Sequence, residues 1–252
     1  MLKEDVLVVN FCSGERTEDL SEYCFRKLGF NNFANVSGSD GFVDKFLRFA
    51  DIAMASPYEV FVRSDADRLV FSGINELIDK FVKDKVDCAE GYGFEFFMNR
   101  FRGATPHVFS RKILSTLAND SSLMPRAQKP ECNFINNVVK LGLAKEGTYN
   151  IFTNLHEYEQ YPSKVCNSLI NRRSRGHLGY YDLGHLNSLT QYKEAVELSL
   201  NYSDEKKSMD HIDVTFLDSG FSGILEQDIE AHYDLMLQAF NSKRKIFDKE
   251  AK

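Results

Sequence analysis

The run Tyr58-Glu59-Val60-Phe61-Val62-Arg63-Ser64-Asp65-Ala66-Asp67-Arg68-Leu69-Val70-Phe71 narrows what the chain can fold into more than any other stretch. It opens after a Pro57-Tyr58 turn signal, climbs through β-branched and aromatic residues, and ends in two carboxylates one residue apart. That pattern predicts a buried strand carrying Asp-Ala-Asp at its carboxyl end. In an open α/β sheet the carboxyl ends of strands face the ligand crevice, so acids placed there are within reach of a substrate or a metal. Strand alternation would send Asp65 and Asp67 to the same side. Two like charges so close repel each other, and a divalent cation with oxygen ligands, Mg²⁺ or Mn²⁺, relieves the repulsion. A bare Asp-x-Asp also occurs as a turn after a buried strand; the αβ-like units ahead of it weigh toward the ligand reading.

Those units are legible in order. Val6-Leu7-Val8-Val9-Asn10-Phe11 is a continuous apolar run of the kind a buried parallel strand shows, and polar Cys12-Ser13-Gly14-Glu15-Arg16-Thr17 follows it as a loop. Residues 19–28 repeat apolar positions at helical spacing and stop at Gly29. Residues 33–37 read as a second strand, closing on Gly38-Ser39-Asp40-Gly41, and residues 42–55 as a helix with Phe42, Phe46, Phe49 and Ile52 in phase. Beyond the acidic pair, residues 74–82 and 111–119 read as helices, 86–91 and 147–153 as strands, and 130–139 as a helix entered by Glu131. Residues 94–102 continue with aromatics, Phe94, Phe96, Phe97 and Phe101, which suit the core more than stacking on a sugar. A helix over 188–202 and a long amphipathic one over 224–247 complete the chain.

The strand tip resembles the Asp-x-Asp signature of GT-A-fold, nucleotide-sugar-dependent glycosyltransferases, family 2-like and of bacterial type, and the resemblance covers roughly residues 5–160. It implies an α/β fold of GT-A type: a Rossmann-like open sheet with flanking helices. Residues 1–187 would form the catalytic domain, with residues 188–252 as a C-terminal helical extension packed on it. In that family the motif binds a divalent metal that holds the diphosphate of a nucleotide-sugar donor. Asp67 is then the direct metal ligand, and Asp65 joins it or touches ribose or a metal-bound water. The same plan implies that Asp40 reads the base and that Lys45 and Arg48 lie near the donor. It makes Glu131 the general base toward a saccharide or other hydroxyl acceptor. A second acid is expected beside Glu131, where this chain has Cys132; inversion is favoured, and retention stays open. A histidine late in the fold completes the metal shell; His156 fits, and His177 and His185 compete.

Arg172, Arg173 and Arg175 form the densest basic cluster in an acidic chain, and guanidinium forks suit a diphosphate. The basic end Lys243-Arg244-Lys245 suits either the carboxyl end of a helix or peripheral contact with an anionic membrane. Two other readings compete. A haloacid-dehalogenase-like phosphatase also carries Asp-x-Asp at a strand end, with Asp65 as nucleophile. There the motif sits on the first strand, and a Thr or Val stands where this chain has Leu69. A non-catalytic sugar-nucleotide-binding protein is the third, motivated by Cys132.

Composition excludes several classes. With 252 residues, 43% of them hydrophobic, the chain can bury a sizeable core, and a net charge of −6 leaves no basic footprint for nucleic acid. Five scattered cysteines without a Cys-x-x-Cys pair argue against a zinc ribbon or a disulfide framework and read as reduced thiols. No stretch is long and apolar enough to span a bilayer, and the acidic start is unlike a signal peptide, so a cytoplasmic location is expected.

Overall fold

The computed structural model describes residues 3–38, 41–126, 129–157, 159–174, 182–201, 213–219 and 229–250. The chain begins with β1 (Val6–Cys12), α1 (Glu18–Lys27), β2 (Phe33–Ser37), α2 (Phe42–Ala55) and β3 (Val60–Asp65). All seven residues of β1 are buried, as the unbroken apolar run demands of a strand covered on both faces. In α2 the buried positions include Phe46, Phe49, Ala50 and Ala53, spaced to make one helical stripe. β1 pairs in parallel with β2 on one side and with β3 on the other.

After β3 the strand does not run on through the second aspartate. Ala66 and Asp67 form a turn, and β4 (Arg68–Val70) leads away from it. The expectation that strand alternation aligns Asp65 with Asp67 therefore fails, because the backbone turns between them. α3 (Gly73–Asp84) then lies so close to a later strand that a Cβ on Gly73 would sit 2.0 Å from the Phe152 carbonyl oxygen. Residues 88–110 form a hairpin of β5 (Cys88–Glu95) and β6 (Arg100–Ser110), where the sequence suggested one aromatic stretch. Asn99 takes the left-handed conformation at the turn, with φ 49°. α4 (Arg111–Asn119), α5 (Pro130–Lys140) and β7 (Glu146–His156) follow.

The seven strands form one mixed sheet in the order β2-β1-β3-β6-β5-β7-β4. β6 and β4 run antiparallel to their neighbours; β1, β2, β3, β5 and β7 all run the same way. One face, with Val8, Val62 and Leu69, packs against Phe25 of α1 and Leu77 of α3. The other, with Val9 and Phe61, packs against Phe46 of α2, Leu114 of α4 and Phe134 of α5. The architecture is thus an open α/β sheet with helices on both faces.

α6 (Pro162–Ser174), α7 (Leu183–Ser188) and α8 (Lys193–Asn201) share a smaller cluster around Leu169, Leu186, Tyr192 and Val196. The helix expected over 188–202 is shorter, because Thr190–Tyr192 is a single 3₁₀ turn. Arg172 and Arg173 stand in the last turn of α6 rather than in a loop. The C-terminal helix is α9 (Ile229–Glu250). Its Phe240 stacks on Phe152 at 5.1 Å and 11°, and its Phe247 meets Phe101 at 5.1 Å. Lys243 lies over the Phe94 ring at 4.2 Å, and Arg244 pairs with Asp248 at 3.8 Å. Among the described residues no helix is long and apolar enough to cross a membrane.

Because Phe240 is buried against the sheet-side core, α9 is expected to be integral to stability. Phe240→Ala should lower the unfolding free energy by about 3–5 kcal/mol in urea titrations. A loss below about 0.5 kcal/mol, the range of surface substitutions, would show that α9 does not hold this position.

Candidate functional site

Five strands running one way deliver Cys12, Ser37, Asp65, Glu95 and His156 to the same edge of the sheet. The chain order reverses at β1, which lies between β2 and β3, so the crevice at this edge is the ligand position of an open α/β sheet. The acidic corner is tied on both sides. The Ala66 N–H donates to the Phe11 carbonyl at 3.1 Å, Thr17 Oγ1 donates to the Ala66 carbonyl at 3.0 Å, and the Glu157 N–H donates to the Asp67 carbonyl at 3.1 Å.

His156 sits between carboxylates. Its Nδ1 is 2.5 Å from Glu95 Oε2 and its Nε2 is 3.1 Å from Asp67 Oδ2, while Glu157 Oε2 lies 4.0 Å from Nδ1. Burial and the nearby Arg68 charge oppose protonation of the ring, but Asp67, Glu95 and Glu157 outweigh them and hold its pKa up at about 10. Glu157 has a raised pKa: burial is the main cause, Asp67 and Glu95 add to it, and His156 and Arg172 oppose it. Its backbone is left-handed, φ 57°, a conformation that costs a non-glycine residue about 1 kcal/mol or more. Asp67 Oδ1 and Glu157 Oε2 are buried with no hydrogen-bond partner. Glu95, His156 and Glu157 offer ligand atoms that all lie within 4.8 Å of one another, and Asp67 is hydrogen-bonded to the same imidazole; carboxylates with an imidazole are a donor set that fits Mn²⁺ or Mg²⁺.

Asp65 has different company. Arg63 Nη2 donates to its Oδ1 and Arg68 Nε to its Oδ2 at 3.4 Å. Arg63, 1% exposed, lies against the rings of Phe11 and Phe42, with its guanidinium carbon 4.5 and 5.0 Å from their centroids. Arg68 also donates to Asn154 Oδ1 at 3.1 Å and reaches Glu95 at 3.5 Å, and Arg102 pairs with Glu95 at 3.0 Å. A carboxylate held by two guanidinium groups is a poor metal ligand and a poor nucleophile. Asp65 thus faces two guanidinium groups, whereas Asp67 faces His156.

Glu131 opens α5, as expected, but it is buried and paired. Its Oε2 is 3.3 Å from Arg63 Nη1 and its Oε1 2.9 Å from His107 Nδ1; His107 Nε2 lies 3.3 Å from Glu90. Arg63, His107 and Glu90 are direct partners across β3, β6 and β5, so the sheet itself builds this row. Burial would raise the Glu131 pKa, yet the Arg63 and His107 charges bring it below the usual range. Burial lowers the His107 pKa, and Glu131 and Glu90 overcome it to give about 9. With both oxygens engaged, Glu131 serves here as the partner of two cations rather than as an open base. Cys132 beside it is exposed.

The other expected contacts fall as follows. Lys45 is buried and donates to the Cys12 carbonyl at 2.8 Å and to Ser13 Oγ, holding the loop after β1. Lys164 donates to the Ser13 and Gly14 carbonyls at 3.1 and 2.8 Å, and Arg16 pairs with Glu159 at 2.5 Å, so the same loop is latched to the segment after β7. Arg48 is exposed and donates to the Ser37 carbonyl at 3.2 Å. Arg173 donates to the Ser199 and Leu200 carbonyls at the end of α8. His185 lies against Phe96, with ring centroids 5.0 Å apart, whereas His156 is the described imidazole beside Asp67. Asp40, Arg175 and His177 lie outside the described residues.

Sequence reasoning missed Arg63, Arg68, Glu95 and Glu157. The two arginines stood in plain view, two residues before and three after Asp65, and Glu157 follows His156 directly. Glu95 carried no such signal.

No family model matches the chain, and none of the curated proteins matches it in sequence. Among solved structures, A197 from STIV is similar over 57% of this chain and 81% of that one, at 8% identity and a TM-score of 0.44. The 4-diphosphocytidyl-2C-methyl-D-erythritol synthase of Anaerococcus prevotii is similar over 62% and 91%, at 10% and 0.42. A CMP:2-keto-3-deoxy-manno-octonic acid synthetase complexed with CTP is similar over 59% and 90%, at 7% and 0.39. Likeness at this level says nothing of activity or of individual residues in this chain.

The buried row has a pH signature. The folded His107 pKa of about 9 exceeds the roughly 6.5 of an unfolded histidine. Its stabilising contribution is therefore full below about pH 6.5 and is lost as pH rises through about 9. In urea titrations from pH 6 to 10, wild type should lose stability over that window. His107→Gln should be less stable at pH 6 and should lose less over that window, the remainder coming from His156, whose folded pKa of about 10 is also raised.

Proposed function

We propose that the chain is a divalent-metal-dependent transferase that moves a sugar from a nucleotide-sugar donor to a hydroxyl acceptor. The observation that supports this reading best is the placement of Asp67 and His156, with two unsatisfied carboxylate oxygens, beside the β1 loop at the reversal point of the sheet. Asp67 and His156 would hold Mn²⁺ or Mg²⁺. Bound there, the cation supplies Lewis acidity toward the diphosphate leaving group.

The chain's own residues take the remaining roles. Lys45 and Lys164 fix the Ser13–Gly14 loop, which forms the wall against which a nucleotide would lie. Arg172, whose charge is felt at Glu157, is the described basic residue for the phosphates. Arg175 belongs with it, and Asp40 with the base, as contacts implied by the GT-A resemblance. Asp65, held in one orientation by Arg63 and Arg68 and part-exposed, keeps acceptor capacity for a ribose hydroxyl. Glu131 acts through Arg63, keeping that guanidinium charged and aimed at Asp65. Holding donor groups in one geometry, rather than a special nucleophile, is what this arrangement contributes.

A ligand that binds only the folded chain raises its stability, by about 2.7 kcal/mol at 100 times its Kd. For a chain of this size that is about 5–10 °C in Tm. Nucleoside diphosphates screened with and without Mn²⁺ should give that rise for one base, and only with metal present. Asp67→Ala should abolish metal-dependent nucleotide binding in calorimetry. Unchanged affinity in that variant would overturn the reading.

A further inference from the structure

Arg63 is shared between two acids. Its Nη2 donates to Asp65 Oδ1 and its Nη1 to Glu131 Oε2 at 3.3 Å, and its Nε is buried with no hydrogen-bond partner. Neither contact is the two-pronged fork in which a guanidinium holds a carboxylate most firmly. The two carboxylates therefore compete for one cation, and the Asp65 charge is felt at Glu131.

Their other partners decide how the cation is divided. Asp65 also has Arg68 Nε at 3.4 Å, and Glu131 has His107 Nδ1 at 2.9 Å. His107 is 6% exposed and sits between carboxylates, with Nε2 3.3 Å from Glu90 Oε2. A neutral imidazole has one N–H and could serve one of them; both ring nitrogens donate only in the imidazolium. Every element around the ring contributes a charged group: Glu131 from α5, Glu90 from β5, Arg63 opposite it on β3, and Glu146 of β7, at whose carboxyl the ring's charge is felt. Cys88 and Cys132, near the same acids, are thiols that burial pushes up. Without the imidazolium charge, Glu131 would have Arg63 alone as its cation among the described residues. Arg63 would then be drawn to Glu131 at the expense of Asp65, which still has Arg68.

We propose that His107 is a positioning residue for the ligand contact at Asp65: by balancing Glu131, it leaves the Nη2 side of Arg63 to Asp65. The signal crosses from β6 through α5 to β3 along direct contacts. Its consequence for binding rests on the reading of Asp65 as a ribose contact; the coupling itself needs no ligand.

The coupling is measured in the full chain, free of metal and nucleotide, by carbon-13 NMR of labelled aspartate carboxyls, with the Asp65 signal assigned by its loss in Asp65→Asn. From pH 6 to 10 the wild-type Asp65 signal should move in a step that tracks the titration of the His107 ring, around pH 9. That step should be absent from His107→Gln, where any movement owed to His156 would remain, and from Glu131→Gln, which breaks the link. At pH 6 the His107→Gln signal should already be displaced, and His107→Lys, which keeps the charge, should return it. A wild-type Asp65 signal that stays fixed while the ring titrates would overturn the proposal, and this titration needs no variant to fold. A step that persists in Glu131→Gln would overturn it as well. In calorimetry at pH 7, the nucleoside diphosphate that stabilises the wild type with Mn²⁺ should bind His107→Gln about two- to tenfold more weakly, the worth of one hydrogen bond. Equal affinity would overturn the role of His107 in binding. Failure of the wild type to bind any nucleoside diphosphate would instead overturn the transferase reading, with the NMR titration still deciding the coupling.

Discussion

Parallel strands that end together concentrate whatever polar groups they carry at their tips, and here the tips are acidic. The carboxyl ends of β3, β5 and β7 bring Asp65, Asp67, Glu95 and Glu157 to one edge of the sheet, with His156 among them. Charge of one sign in a partly dry site must be balanced before the strands can close up. Two buried arginines, Arg63 and Arg68, do part of this by pairing with Asp65 and Glu95. Asp67 and Glu157 have His156 as their ion-pair partner among the described residues.

The balance reaches deep into the fold. Arg63 can be buried because Glu131 and Asp65 flank it and two aromatic rings face it. Glu131 in turn is kept ionised by Arg63 and by His107, which Glu90 faces from the next strand. Removing any one member would leave a charge uncompensated in a low-dielectric interior. The row from Asp65 through Arg63, Glu131 and His107 to Glu90 therefore couples the order of the middle strands to the geometry at their tips. α5 belongs to this row through Glu131, which explains why an acid opens that helix without facing the crevice as a base.

Much of this was readable before the structure. The first β-α-β-α-β segment follows from unbroken apolar strands and one-sided helical stripes, and the acidic strand tip announces itself by composition alone. The hairpin of β5 and β6 was hidden because its turn, Phe96 to Asn99, contains no glycine or proline and is set among aromatics that mimic a continuing element. Glu95 owes its place to pairing between β5 and β7, which a linear spacing does not encode. Arg63 was the missed opportunity: a cation two residues from an acid on the same strand face is a local pattern, and it says that the acid is already paired. Lys45 illustrates the opposite error, a basic residue near the site that faces the backbone of the β1 loop.

The central claim is that a divalent ion sits among the acids the arginines leave unpaired. Crystals soaked with Mn²⁺ and a nucleoside diphosphate, measured by anomalous scattering, test it most directly. One anomalous peak is expected beside Asp67 and His156, next to the phosphates. A peak elsewhere, or none in this crevice while nucleotide is bound, would contradict it.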